Sequence, residues 1–337
     1  MGTTYLGMEL RSPLVASAGP LSQTVDGVKE LADTGLGAVV LYSLFEEQVL
    51  AQAERDTLLE ELNDESFPEA TSYFPAIADP EVVNPAAAYL SLVERAASAI
   101  DIPLIASLNA SGTGSWVDFA QQLADAGAAA LECNIYFVPG DLALTGADVE
   151  ERHLEIVAAV TQAVDIPVAV KLSPFFSSPG NFALRLVEAG ADGLVLFNRF
   201  LQPAVDVEQL AVVPGVTLSS PADARVPRTW IASLRHRTTA SLAATSGVET
   251  PEDVVAYLLA GADVVMTTSS LVRHGAGYAR RLLEGLDEWM ARKQFRSVSD
   301  FRGLLAVPPE ADAGGLARSG YVAALEKAKA TYGSLRA

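Results

Sequence analysis

The chain has 337 residues, half of them hydrophobic, and its 42 acidic and 23 basic residues give a formal net charge of −19. An acidic surface of this kind repels phosphate backbones, so we expect no nucleic-acid partner. No apolar run reaches the roughly 20 residues of a membrane span, no leader-like segment opens the chain, and a single cysteine fits a reducing compartment. We therefore expect a cytoplasmic protein without a membrane anchor.

A helix that ends at glycine and a short apolar run after it recur along the chain. Copies of this unit begin at Asp33, Asp125, Glu188 and Leu259. Glycine gives a helix its left-handed stop, and a short run rich in β-branched residues is typical of a buried parallel strand. The predicted strands are Pro13–Ser17, Gly37–Tyr42, Pro103–Leu108, Ala130–Ile135, Pro167–Leu172, Gly193–Asn198, Ser241–Ser246 and Asp263–Thr268. The helices predicted between them are Trp116–Ala126, Val149–Val164, Phe182–Ala189 and Pro251–Ala260.

Eight alternating strand–helix units predict a single α/β domain, a closed (β/α)8 TIM barrel. An open doubly wound sheet is the structural alternative. We place the barrel in residues 1–304, with an acidic, irregular insertion at about 45–84 that covers the barrel mouth or forms an interface. Residues 305–337 are predicted to form a helical tail.

Active sites of such barrels lie at the carboxyl ends of the strands. Those ends carry hydroxyls, amides, glycines and one lysine, without a cluster of acids, and the three histidines are far apart. This residue set disfavours metal-assisted hydrolysis. The histidines His153 and His274 are interpreted as solvated surface residues.

The last two predicted strands end in Thr245-Ser-Gly-Val-Glu249 and Thr267-Thr-Ser-Ser270. In phosphate-binding barrels, backbone N–H groups and a short helix hold a phosphate at these two strands. The sequence therefore favours a phosphate site there, although an ordinary strand-to-helix turn with an N-cap is an alternative.

Three other side chains near the strand ends invite a functional interpretation. Lys171 ends an apolar strand and could stabilise negative charge on an electron-rich ring; the alternatives are a lysine on the barrel rim and the Schiff-base nucleophile of a flavin-free phosphosugar aldolase. Arg199 could pair with a substrate carboxylate or form a salt bridge on the rim. Cys133 points to the face opposite Asn134 and is interpreted as a small core residue.

At these positions the chain resembles dihydroorotate dehydrogenase, over about residues 6–304. The pieces that carry the resemblance include Glu132-Cys-Asn-Ile135, Ile166-Pro-Val-Ala-Val-Lys-Leu-Ser-Pro174, Leu218-Ser-Ser-Pro221 and Gly261-Ala-Asp-Val-Val-Met-Thr-Thr-Ser269. The resemblance implies an FMN-binding flavoprotein of the kind used in pyrimidine biosynthesis. The cofactor-binding residues that it implies are Ala18, Gly19, Ser43, Ser107, Lys171, Asn198, Ser219, Ser220, Ser246, Gly247, Thr268 and Ser269. For the substrate, it implies Asn134 and Asn198, and Arg199 is added because it follows Asn198.

The chain departs from the family pattern at the catalytic base. The family has Cys or Ser three residues after the asparagine that corresponds to Asn134, and this chain has Phe137, which cannot accept a proton. Tyr136 is the neighbouring group that could move a proton, so Tyr136 and Lys171 are the catalytic candidates. The chain resembles more closely a subgroup of dihydroorotate dehydrogenase-like proteins that carries the motifs Asn-Ile-Tyr and Phe-Asn-Arg-Phe.

Three further departures concern the substrate and phosphate regions. Tyr42 stands where a lysine is expected, the pattern Asn-x-x-Gly-Leu-Pro-Asn is absent from residues 45–84, and Ser246 replaces a preferred glycine. We expect an FMN oxidoreductase that acts on a CH–CH bond of a small molecule by hydride transfer to flavin N5, with the true substrate left open. The alternative is a catalytically inactive FMN-binding or redox-partner protein. Homodimers are common among similar enzymes.

Overall fold

A computed structural model of the chain describes residues 1–45, 84–110, 116–135, 137, 140–199, 204–213, 215 and 217–332. The predicted insertion at about 45–84 therefore lies almost wholly outside the described residues. Tyr136, one of the two catalytic candidates, lies outside them as well.

Eight parallel strands close into a barrel, which confirms the (β/α)8 prediction and excludes the open sheet. In order around the barrel they are β3 (Leu14–Ala16), β4 (Ala38–Phe45), β5 (Leu104–Ala110), β6 (Ala130–Ile135), β7 (Val168–Leu172), β8 (Gly193–Leu196), β11 (Ser241–Ala244) and β12 (Val264–Thr267). The barrel closes where Thr267 of β12 pairs with Ala16 of β3. Each predicted strand coincides with one of these strands.

Helices surround the barrel. They are α1 (Val25–Ala32), α2 (Pro85–Ala97), α3 (Trp116–Asp125), α4 (Gly146–Ala163), α5 (Pro179–Glu188), α6 (Arg225–Leu234), α7 (Pro251–Ala260), α8 (Ser269–His274), α9 (Tyr278–Lys293) and α10 (Ala313–Tyr332). Local signals fix their ends: Thr250 forms a capping box with Asp253 at the start of α7, and Gly261 ends that helix with a φ of 117°. None of the helices in the described ranges is long and apolar enough to cross a membrane.

Two antiparallel hairpins add to the barrel and were missed by the sequence analysis. The first consists of β1 (Thr3–Tyr5) and β2 (Met8–Leu10), and the second of β9 (Ala204–Asp206) and β10 (Ala211–Val213). Strands of three residues are too short to show the period of two by which a strand is recognised. The first hairpin covers the amino-terminal end of the barrel, where Tyr5 packs against interior residues such as Ile105 and Met266.

Burial corrects the interpretation of His153 as a solvated residue. The side chain is 3% exposed, its Nδ1 lies 2.7 Å from the carbonyl oxygen of Val149, and its ring meets Phe176 and Phe182 edge-on. The prediction was wrong because nearby acids were read as an acidic environment. In fact His153 lies on the buried face of α4, three residues before Ile156. His274 is exposed, as predicted, and its Nε2 lies 2.6 Å from Glu249 Oε1.

Candidate functional site

A cavity of about 280 Å³ opens at the carboxyl ends of β3, β7, β8, β11 and β12. Predicted cofactor or substrate residues in its wall are Ala18, Gly19, Lys171, Asn198, Arg199, Ser219, Ser246, Thr268 and Ser269. A second cavity of about 530 Å³ adjoins it and shares Phe197, Asn198, Arg199 and Ser246. The topology therefore brings most of the predicted site residues together.

Lys171 forms the cationic part of this cavity. Along β7 its side chain shares a face with Ala169, which packs in the barrel interior, because side chains two residues apart point the same way. The ammonium nitrogen lies 3.1 Å from Glu132 Oε1 and 3.4 Å from Ser17 Oγ. With a side chain only 7% exposed, Lys171 is buried within the barrel and does not lie solvated on the rim.

Hydroxyl groups line the part of the cavity next to β12. Ser219 donates to Ser269 Oγ from its backbone nitrogen at 3.1 Å and from its hydroxyl at 2.9 Å. Arg273 holds the Ser219 segment from outside by donating to its carbonyl oxygen at 3.1 Å. The hydroxyl groups of Ser219 and Ser269 thus lie together where the sequence predicts a phosphate.

Close packing around the backbone explains two glycines of the site. A Cβ at Gly19 would lie 2.2 Å from Thr268 Oγ1, so the walls formed by the β3 and β12 ends leave no room for a side chain there. Gly247 has a φ of +71°, and a Cβ there would lie 2.6 Å from the backbone nitrogen of Ala224. Its neighbour Ser246 is also left-handed, with a φ of 77°, although it is not a glycine.

Two asparagines meet across the barrel mouth. Asn198 donates from its amide nitrogen to Asn134 Oδ1 at 2.8 Å; Asn134 lies near the end of β6, and Asn198 follows β8 by two residues. The next residue, Arg199, donates from Nη1 to the carbonyl oxygen of Thr217. The predicted substrate residues are therefore neighbours at the mouth. The peptide bond between Leu196 and Phe197, which precedes Asn198, is cis.

Some predicted cofactor residues do not line either cavity. Ser43 and Ser107, at the ends of β4 and β5, bond to each other with their hydroxyl oxygens 2.8 Å apart. Ser220 caps the short helix Pro221–Ala224, and its backbone nitrogen donates to Asp223 Oδ2 at 2.7 Å. Gly247 lies behind the wall, against Ala224.

The position of the missing base is occupied by an aromatic–cation contact. The guanidinium of Arg152 lies 4.5 Å from the ring centre of Phe137. Cys133 does not replace the base, because its side chain is buried in the outer core and burial raises the pKa of its thiol to about 12. Among the described residues, no group of three or more His, Cys, Asp or Glu is placed to hold a metal ion.

Glu132, which contacts Lys171 beside the cavity, is a residue that sequence reasoning overlooked. It lies two residues before Asn134 on β6 and so shares its interior face. A charged residue at an interior position of a buried strand was the available signal, since such a side chain needs a partner. The segment Glu132-Cys-Asn-Ile135 was used only for its resemblance.

The fold and the cavity define a (β/α)8 barrel whose site lies at the carboxyl ends of its strands, the arrangement of barrel enzymes. A family model described as dihydroorotate dehydrogenase matches residues 81–290, and the chain belongs to this family of oxidoreductases.

Curated relatives agree with this assignment. The chain is 26% identical to dihydroorotate dehydrogenase B (NAD(+)), catalytic subunit, of Thermoplasma acidophilum, over 90% of this chain and 98% of the relative. It is 25% identical to the protein of the same description from Methanothermobacter thermautotrophicus, over 90% and 97%. It is 24% identical to the NAD-dependent dihydropyrimidine dehydrogenase subunit PreA of Escherichia coli, over 90% and 76%.

Proposed function

We propose that the protein is an FMN-dependent oxidoreductase that acts on a CH–CH bond of a small molecule. The observation that supports this most strongly is a single cavity lined both by the hydroxyl-bearing residues Ser219, Thr268 and Ser269 and by the buried ammonium of Lys171. When bound, FMN supplies a two-electron acceptor that takes hydride from a substrate carbon at N5.

The residues present fit the cofactor. Ser219, Ser246, Thr268 and Ser269 would hold the phosphate, since hydroxyl and backbone N–H donors are the groups that bind phosphate at barrel strand ends. Gly19 would leave room for the ring at the cavity wall, because the position has no side chain and a Cβ there would collide with Thr268. Lys171 would hold the pyrimidine edge of the ring, where an ammonium stabilises negative charge.

We place the substrate at the barrel mouth, where the two cavities meet. Asn134 and Asn198 offer amide groups that orient a polar ring. Arg199 has further N–H donors besides the one given to Thr217, and they can bind a carboxylate. Because Phe137 cannot take a proton, we propose that the substrate differs from dihydroorotate or that Tyr136 moves the proton.

A second candidate function is a catalytically silent flavin binder that serves a redox protein. The aromatic–cation contact of Phe137 and Arg152 at the position of the base favours it. All three relatives named above are subunits by description, which supports a protein partner, and a homodimer is proposed as the alternative assembly. An aldolase with Lys171 as nucleophile is disfavoured, because an ammonium paired with Glu132 has no lone pair with which to attack a carbonyl.

The visible spectrum of the purified protein tests these functions. We expect a yellow protein, or one that becomes yellow with FMN, whose flavin absorbance is bleached anaerobically by dihydroorotate, a dihydropyrimidine or another substrate with a saturated CH–CH bond. A yellow protein that no such substrate bleaches would favour the silent binder. A protein that stays colourless with excess FMN would overturn both.

A further inference from the structure

The barrel interior beneath the cavity contains a buried ion pair, and only one of its two partners lines the cavity. Lys171 lines the cavity, whereas Glu132 is not part of its wall and has a side chain only 1% exposed. Their nitrogen and oxygen are 3.1 Å apart. The positive partner therefore faces the cavity and the negative partner lies behind it.

The hydrogen-bonding of Glu132 is incomplete on its other side. Within the described ranges, its Oε2 and the hydroxyl of Tyr5 are both buried without a hydrogen-bond partner. Burial raises the pKa of Tyr5, and the negative charges of Glu132 and Asp263 raise it further, so Tyr5 keeps its proton and adds no charge beside the carboxylate. Lys171 is thus the main compensation for the charge of Glu132.

We propose that Glu132 is the counter-charge that sets how strongly Lys171 favours the reduced form of FMN in the cavity. This inference rests on the proposed function. Reduction places negative charge on the pyrimidine edge of the ring, which the ammonium stabilises and the carboxylate behind it opposes. Because charges in a water-poor interior interact more strongly than in bulk water, a carboxylate in direct contact with the ammonium has a measurable influence on the ring.

The variant Glu132→Gln separates charge from geometry. Glutamine keeps the volume and an oxygen that can accept from Lys171, and it removes the negative charge. We expect the ratio of the affinities for reduced and oxidised FMN to rise at least tenfold, which for a two-electron couple raises the midpoint potential by about 30 mV. Lys171→Gln is expected to lower the ratio at least tenfold. Midpoint titration against reference dyes, with FMN dissociation constants, measures both.

Asp263→Asn is the matched control. Asp263 is a second carboxylate buried in the barrel, paired with Arg235 at 2.9 Å and with Arg302 at 2.8 Å, and it precedes β12 at the end of the barrel opposite the cavity. We expect this variant to lose stability while its affinity ratio stays within twofold of the native value. If the substitutions acted only by loosening the barrel, the affinity ratio would change in the same way in Glu132→Gln and in Asp263→Asn.

The outcomes separate this inference from the proposed function. If native protein does not bind FMN, the proposed function is wrong. If native protein and Glu132→Gln both bind FMN, and the ratio stays within twofold or falls, only the counter-charge inference is wrong. Should Glu132→Gln fail to fold, the double variant Glu132→Gln/Lys171→Gln, which buries a neutral pair, is compared with Lys171→Gln alone. The inference requires a higher ratio in the double variant and is overturned by an equal or lower one.

Discussion

The two ends of the barrel each contain a buried carboxylate, and the two carboxylates differ in how many of their oxygens have a partner. At the amino-terminal end, Asp263 Oδ1 accepts a hydrogen bond from Arg235 and forms an ion pair with Arg302, and its Oδ2 accepts from the backbone nitrogen of Leu242 at 2.8 Å. Towards the cavity, Glu132 has one charged partner, and its second oxygen has none among the described residues.

This difference separates stability from function. Asp263 has partners on both carboxylate oxygens: two cations and a backbone amide. It therefore connects the end of α6, strand β11 and the segment after α9. A carboxylate with a single cationic partner leaves that cation able to act on a ligand as well. The amino-terminal end of a (β/α)8 barrel is the stabilising end, and its carboxyl-terminal end is the reactive one.

The largest effect that tests this comparison is expected at the amino-terminal end. Asp263→Ala should lower the free energy of unfolding by about 3 kcal/mol, because it leaves two largely buried guanidinium groups without their carboxylate. Urea unfolding measures this change. The control is Asp101→Ala, which removes an exposed partner 3.5 Å from Arg11 and should cost less than about 0.5 kcal/mol. Equal losses in the two variants would contradict the distinction.

The second prediction concerns the cavity wall. Gly19→Ala should weaken FMN binding at least tenfold, because the added Cβ meets Thr268 Oγ1 at 2.2 Å and overpacking costs about 1–3 kcal/mol. Fluorescence titration with FMN measures the affinity. Gly140→Ala is the control, since nothing lies within 4 Å of a Cβ at that exposed position. Native affinity in Gly19→Ala would place the cofactor elsewhere.

The third prediction is that stability depends on pH through the buried His153 of α4. Burial lowers the pKa of His153, so the folded protein holds this imidazole neutral, and unfolding lets it take up a proton at low pH. The contribution of His153 is complete above the unfolded pKa of about 6.5 and is lost as the pH falls below it.

Unfolding free energies at pH 7.5 and pH 5 measure this effect, with both values chosen to bracket the ordinary pKa of about 6.5. His153→Gln should lose less stability than the native protein over this interval. The same loss in both proteins would show that His153 does not titrate in this way.

The smallest effect is expected at the turn after β11. Ser246→Gly should stabilise the protein by less than about 1 kcal/mol, because relief of its left-handed conformation is partly offset by the entropy of glycine in the unfolded chain. Thermal unfolding detects the difference. Gly247→Ala is the counterpart and should destabilise, since it combines a φ of +71° with a contact at 2.6 Å. A stabilising Gly247→Ala would overturn this account of the turn.

The amino-acid sequence by itself indicated the barrel and the end of it at which the candidate site lies. Helix stops such as Gly261 and short apolar runs such as Val264–Thr267 are local signals, and eight predicted strands favoured a closed barrel over an open sheet. Once the strands were assigned, their carboxyl ends followed, and with them Lys171 and the hydroxyl groups near Ser269.

Only the tertiary structure decided which of those groups face one another. Glu132 and Lys171 are 39 positions apart in the chain, and Asn134 and Asn198 are 64 apart, so their pairing depends on strand register and on barrel closure. For the same reason the Ser43 hydroxyl bonds to Ser107, and neither residue lines the cavity. Sequence periodicity assigns a side chain to a face of its own element, whereas the partner it meets there is contributed by another element.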